Sequence, residues 1–275
     1  MKKAGPIGVF DSGYGGLTVL KEIRKELPDY DYLYLGDNAR SPYGTRSSDT
    51  VYHYTREGVQ TLFSLGCSLV ILACNTASAK ALRNIQQEQL PSLYPEKRVL
   101  GVIRPTTEIV GNLSKTKQVG LLATPGTVAS RAYDVEIQRF SPKVTLTSEA
   151  CPMRVPLIEN HEQQSEGGDY FIRQHVQHLM QKGENIDTII LACTHYPLIQ
   201  NQIKKLLPEH VQLISQGEIV AKSLADYLHR HPEIEALCTK GTTCRYLTTE
   251  SSTDFSASAS LFLGKEIEAE HIELV

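Results

Sequence analysis

No stretch of this 275-residue chain approaches the roughly 18 consecutive apolar residues that a membrane-spanning helix needs. Charge of neither sign is in excess. The formal net charge is −3, which excludes the basic surface expected of a partner for nucleic acid or an anionic membrane. The six cysteines include no C-x-x-C pair, and Cys238 and Cys244 do not match the common zinc spacings. The turn Gly13-x-Gly15-Gly16 lacks both the G-x-G-x-x-G spacing of a dinucleotide site and the Gly-Lys-Ser/Thr of a phosphate loop. No cofactor and no metal is therefore expected. Met1-Lys2-Lys3-Ala4-Gly5-Pro6-Ile7 starts like a secretion signal, but Asp11-Ser12-Gly13 cuts the apolar part short, so the segment reads as a first strand. A cytoplasmic protein with free thiols is expected, with Cys67 and Cys151 as small buried apolar residues.

What the chain does have is alternation. Apolar runs at 6–10, 30–35, 69–73, 99–103, 119–123, 143–147, 188–192, 211–214 and 245–248 read as strands, with a short strand at the end. Helical spacing is expected over 17–27, 48–65, 76–89, 128–140, 170–182, 196–207, 218–229 and from 254 onward. Continuous runs such as Leu69-Val70-Ile71-Leu72 and Thr188-Ile189-Ile190-Leu191 suit strands buried on both faces, which are parallel and covered by helices. The fold class is doubly wound α/β, with ligands expected at the carboxyl ends of the strands.

One phrase occurs twice: Ala73-Cys74-Asn75-Thr76 and Ala192-Cys193-Thr194-His195, each after such an apolar run. Both thiols are expected in a crevice mouth near a helix N-terminus, where the dipole lowers a thiol pKa from about 8.5. Matched thiols on two related halves suit a reaction that needs a proton-handling group on each side of a substrate. Asp11 follows the first strand in the same manner and can polarise a neighbour, while Ser12 can donate to a ligand. His195 is open to three readings: partner of Cys193, metal ligand, or surface residue. His175 and His178, one turn apart on a Gln-rich helix, read as a solvated face. Asn75 and Thr76 by themselves would suit a helix cap, and Pro42-Tyr43-Gly44 a turn.

Six motifs in order tighten this. Asp11-Ser12-Gly13-x-Gly15-Gly16-Leu17, Gly36-Asp37-x-x-Arg40-x-Pro42-Tyr43-Gly44, Ala73-Cys74-Asn75-Thr76-Ala77 and Thr124-Pro125-Gly126-Thr127 are followed by Cys151-Pro152 with Val155-Pro156-Leu157, and by Ala192-Cys193-Thr194-His195-Tyr196-Pro197. Together they resemble the bacterial glutamate racemases of the cofactor-independent aspartate/glutamate racemase superfamily. The resemblance implies two flavodoxin-like, doubly wound parallel-sheet domains facing each other across an active-site cleft, one of residues 1–98 with 212–275 and one of 99–211. It implies an isomerase with L- and D-glutamate as substrate and no cofactor, a homodimer, and supply of D-glutamate for peptidoglycan.

It also implies residue roles. Cys74 and Cys193 are the expected acid and base, assisted by Asp11, His195 and Glu159. Ser12, Tyr43, Gly44, Asn75, Thr76 and Thr194, with Asp11 and His195, match positions that hold the substrate. Arg104, Arg154 and Ser215-Gln216-Gly217 depart from the pattern, Arg154 standing where a bulky apolar residue is expected. The rival readings are a racemase for aspartate or another small amino acid, a Cys193–His195 thiol hydrolase, and a solute-binding module.

Overall fold

A computed structural model describes residues 4–274. Ten strands form two wholly parallel sheets. The first holds β1 (Ile7–Asp11), β2 (Tyr32–Gly36), β3 (Leu69–Leu72), β4 (Arg98–Gly101), β9 (Cys244–Thr248) and β10 (Ala269–His271), in the order β10-β9-β2-β1-β3-β4. The second holds β5 (Gln118–Ala123), β6 (Thr145–Ala150), β7 (Thr188–Ala192) and β8 (Gln212–Ile214), in the order β6-β5-β7-β8. The unbroken apolar runs of β1, β2, β3 and β7 are buried throughout, whereas the edge strands β6 and β10 carry partly exposed polar residues.

Strand order reverses at one place in each sheet, between β1 and β3 and between β5 and β7. The connections on either side leave in opposite directions there, opening a crevice beyond the carboxyl ends. Asp11 and Cys74 lie at the first switch point, and Thr124 and Cys193 at the second. Helix Leu17–Glu26 packs on helix Gly217–Arg230, and one apolar cluster runs from β1 of the first sheet to Ile189 and Tyr196 of the second unit. Among the described residues no helix is long and apolar enough to cross a membrane.

Several elements differ from expectation. The helix expected over 76–89 is interrupted at Ala81 and passes through a wider π turn at Ile85–Gln89. It then continues over Leu90–Leu93 with Pro91 inside the run, directly after the π turn where the hydrogen-bond ladder already changes register. Helices Ile103–Leu113 and Arg154–Glu159 were not expected; each has a proline at its third position, tolerated in a first turn whose N–H groups lack intrahelical partners. The helix expected over 128–140 is two, Pro125–Ser130 and Ala132–Phe140, parted by Arg131 in the left-handed region (φ 55°). The 196–207 segment opens as a 3₁₀ turn, Tyr196–Ile199, before helix Gln200–Lys205. We propose that the chain crosses between units just after Gly101 and just after Ile214. β4 belongs to the first sheet and β8 to the second, a few residues later than the expected boundaries at both places.

The histidines on helix Glu166–Lys182 correct another expectation. His178 is half-exposed beside Glu149, but His175 is buried under Arg154. Burial, then the Arg154 charge, push its pKa down to about 4. Arg154 itself is 1% exposed; Nη2 donates to the Ile172 carbonyl at 3.3 Å and the guanidinium lies 5.3 Å from the Tyr196 ring centre. Its Nε and Nη1 have no partner among the described residues. A buried cation so thinly compensated costs more desolvation than it recovers. Arg154→Met should stabilise the protein by about 1–4 kcal/mol, seen as a rise in Tm; a fall would show that the cation is fully compensated.

Candidate active site

The crevice between the units is built from the loops after β1, β3, β5 and β7. After β1 the chain turns at Gly13–Gly16, and the Asp11 carboxylate, wholly buried, accepts the Gly13 N–H at 3.0 Å. A Cβ on Gly15 would lie 2.2 Å from Thr194 Oγ1 and 2.5 Å from His195 Nδ1. Only glycine lets this turn approach the opposite unit so closely. Thr18 Oγ1 then donates to the Thr194 carbonyl at 2.9 Å, and Thr194 Oγ1 reaches Asp11 Oδ1 at 3.5 Å.

After β3, Cys74 is the N-cap of helix Asn75–Lys80, its sulfur accepting the Ala77 N–H at 3.4 Å. Ser12 Oγ lies 3.6 Å from the same sulfur. Despite the cap, burial and then the Asp11 charge push the Cys74 thiol up to about 12. This corrects the expectation of a lowered value: a sulfur 6% exposed loses more hydration than a short helix returns. The two cysteines also differ locally, since Cys193 is followed by a turn and not by an α-helix.

Cys193 Sγ lies 3.9 Å from His195 Nδ1, and His195 Nε2 lies 2.9 Å from Glu159 Oε1. Burial opposes a charge on this ring, but the bonds to Cys193 and Glu159 prevail and hold its pKa up at about 10. Of the three readings of His195, the geometry realises the pair with Cys193. Glu159 is presented by helix Arg154–Glu159. Asp11, wholly enclosed, is pushed up to about 6 by burial, partly countered by the His195 charge. Each thiol therefore has one ionisable neighbour, Asp11 for Cys74 and His195 for Cys193, and the charges of all four groups are felt across the crevice.

The remaining expected residues divide into two groups. Thr76 Oγ1 meets Thr124 Oγ1 at 2.9 Å and Thr127 Oγ1 at 3.3 Å, and the Gly44 carbonyl accepts the Gly126 N–H at 2.7 Å, so these join the two units. Asn75 bonds to Tyr133 and Gln216, two residues that sequence reasoning did not place in the site; only the departure at Ser215-Gln216 marked the second. The Tyr43 hydroxyl donates to Asp37 and its ring is buried, which leaves its backbone, not its phenol, for a ligand. Among the described residues no group of three or more His, Cys, Asp or Glu side chains is placed to hold a metal ion.

A family model for Asp/Glu/Hydantoin racemase matches residues 7–224. The chain is 43% identical over 273 residues to a glutamate racemase of Roseobacter denitrificans, covering 95% of this chain and 98% of that one. The crystal structure of a glutamate racemase isoform from Bacillus anthracis superposes with a TM-score of 0.89 at 33% identity, covering 100% of this chain and 99% of that one. A glutamate racemase of Francisella tularensis, solved in complex with D-glutamate, superposes with a TM-score of 0.84 at 34% identity, covering 100% and 97%.

The ionisations set a pH window. Below about 6 Asp11 gains a proton and its charge is lost; above about 10 His195 loses its proton. The profile of kcat/KM should therefore be bell-shaped with limbs near those values, because it reports the free enzyme. Residual activity of Asp11→Asn should lack the acidic limb. An unchanged acidic limb in that variant would remove Asp11 from the titrating unit.

Proposed function

Because the chain belongs to the Asp/Glu/Hydantoin racemase family, we propose that it interconverts L- and D-glutamate with Cys74 and Cys193 as paired acid and base. The observation that carries this reading is the pair of thiols, each just past the carboxyl end of a switch-point strand, one from each unit, in a single buried crevice. A thiolate takes the Cα hydrogen as a proton, leaving its electron pair on carbon. The opposite thiol then delivers its own proton to the other face. The substrate is inverted, and the two sulfurs have exchanged protonation states.

The neighbours suit these tasks. His195, protonated and anchored by Glu159, can donate to the Cys193 sulfur, and the neutral ring that this leaves can take the proton back. Asp11 and Ser12 flank Cys74. We assign the substrate's ammonium and carboxylates to Asp11, Ser12, Asn75, Thr76, Thr194 and His195, with the backbone at Tyr43 and Gly44. Apart from Asp11 and His195, these are hydroxyls, amides and N–H groups that orient a zwitterion at little electrostatic cost. Glutamate is preferred over aspartate as substrate because the relatives that match almost the whole chain are named for glutamate. The role that follows is supply of D-glutamate for peptidoglycan from the cytoplasm, with a homodimer as the assembly that sedimentation would test.

Cys74→Ala and Cys193→Ala should each abolish racemisation of L-glutamate, followed by circular dichroism, while the fold persists. Retention of more than about a tenth of turnover, equivalent to about 1.4 kcal/mol of barrier, would sink the two-base mechanism.

Solvent isotope separates two bases from one. In heavy water, D-glutamate formed early from the L-enantiomer should carry deuterium at Cα, delivered by the pre-exchanged opposite thiol, while residual L-glutamate stays protonated. Early product bearing protium at Cα would refute the division of labour between Cys74 and Cys193.

A further inference from the structure

Three buried side chains from distant stretches of the chain close a ring of hydrogen bonds beside Cys74. Asn75 Nδ2 donates to Gln216 Oε1 at 2.8 Å, Gln216 Nε2 donates to the Tyr133 hydroxyl at 2.8 Å, and that hydroxyl donates to Asn75 Oδ1 at 2.7 Å. None of the three is more than 4% exposed. The direction of the ring is imposed from outside it. Gln216 Nε2 also lies 3.0 Å from the Val102 carbonyl, which can only accept, so this end of the amide is the donor. Its Oε1 therefore accepts, the group it faces on Asn75 is the NH₂, and Asn75 Oδ1 is left to receive the tyrosine proton. Thr106 Oγ1, 2.9 Å from the same nitrogen, shares with the Val102 carbonyl the N–H that does not point to Tyr133.

The placement of these residues is as specific as their bonding. Asn75 directly follows Cys74 in the first unit, and Tyr133 stands on helix Ala132–Phe140 of the second. Val102 and Gln216 lie at the two places where the chain passes between the sheets. One amide thus ties both crossings to the residue next to a thiol.

We propose that Gln216 and Tyr133 are positioning residues, which lock the Asn75 amide in one orientation and leave its second N–H for the substrate. This rests on the reading of Asn75 as a substrate-holding group. With Oδ1 held by Tyr133 and one N–H by Gln216, the Asn75 amide is fixed in one orientation, and its second N–H suits a carboxylate oxygen. In Gln216 the departure from the family pattern at 215–217 has a structural use.

The test is a double-variant cycle on the whole enzyme, measuring kcat and KM for glutamate with Tm as a check on folding. Tyr133→Phe should raise KM about tenfold, the order expected for one lost hydrogen bond, with a smaller change in kcat. In an Asn75→Ala background the same change should add less than about a further twofold, because the group it positions is gone. Gln216→Met should behave alike, and it carries the test if Tyr133→Phe does not fold. Full, independent effects of Tyr133→Phe in both backgrounds, or an unchanged KM in both Tyr133→Phe and Gln216→Met, would overturn the positioning role alone. An unchanged KM in Asn75→Ala would overturn the substrate role of Asn75 and the proposal with it.

Discussion

Burial is the largest influence on Cys74, Asp11 and His195 in the crevice. Burial pushes Cys74 up to about 12 and Asp11 up to about 6, so neither takes its charge from solvent in the ordinary way. His195 is enclosed as well, yet its two bonds reverse the sign, and it keeps its proton to about 10. The low dielectric that penalises an isolated charge strengthens the attraction between paired ones. Hence each thiol is accompanied by a titratable neighbour whose pKa the enclosure has moved.

That dry space exists because two open sheets present their switch points to each other. The close approach depends on missing atoms as much as on present ones. Gly15 makes room for Thr194 and His195, and Gly44, whose added Cβ would lie 2.9 Å from Thr124 Cβ, does the same on another side. Hydroxyls then fasten the walls: Thr18 to Thr194, Thr76 to Thr124 and Thr127. The Asn75–Tyr133–Gln216 ring adds a buried network in which each amide end has a partner, the condition under which buried polarity specifies a geometry. Arg154 is its opposite, a buried cation at the start of the helix that carries Glu159, with two nitrogens unpartnered among the described residues.

Much of this was legible in the chain. The runs at 69–72 and 188–192 announced strands buried on both faces, and the structure puts each at the inside of a parallel sheet with its cysteine at the carboxyl end. The pairing of like phrases around Cys74 and Cys193 pointed to two related units. The strand and helix periods survived because they reflect local burial, which the order of apolar residues encodes directly. Helices beginning near Pro105 and Pro156 did not show, since proline in a first turn looks the same in sequence as proline that ends a helix.

The sequence by itself determined the class of fold, the two thiols and the chemistry open to them, because these follow from residue type and local periodicity. Only the tertiary structure decided the ionisation of Cys74, the burial of His175 and Arg154, and the partners of Asn75. Each depends on the dielectric and on contacts between residues far apart in the chain. Cys74 shows the difference most plainly: its place at a helix cap was readable, but the direction of its pKa shift was not. Burial among residues far apart in the chain, which no local pattern records, and then the Asp11 charge outweigh the cap.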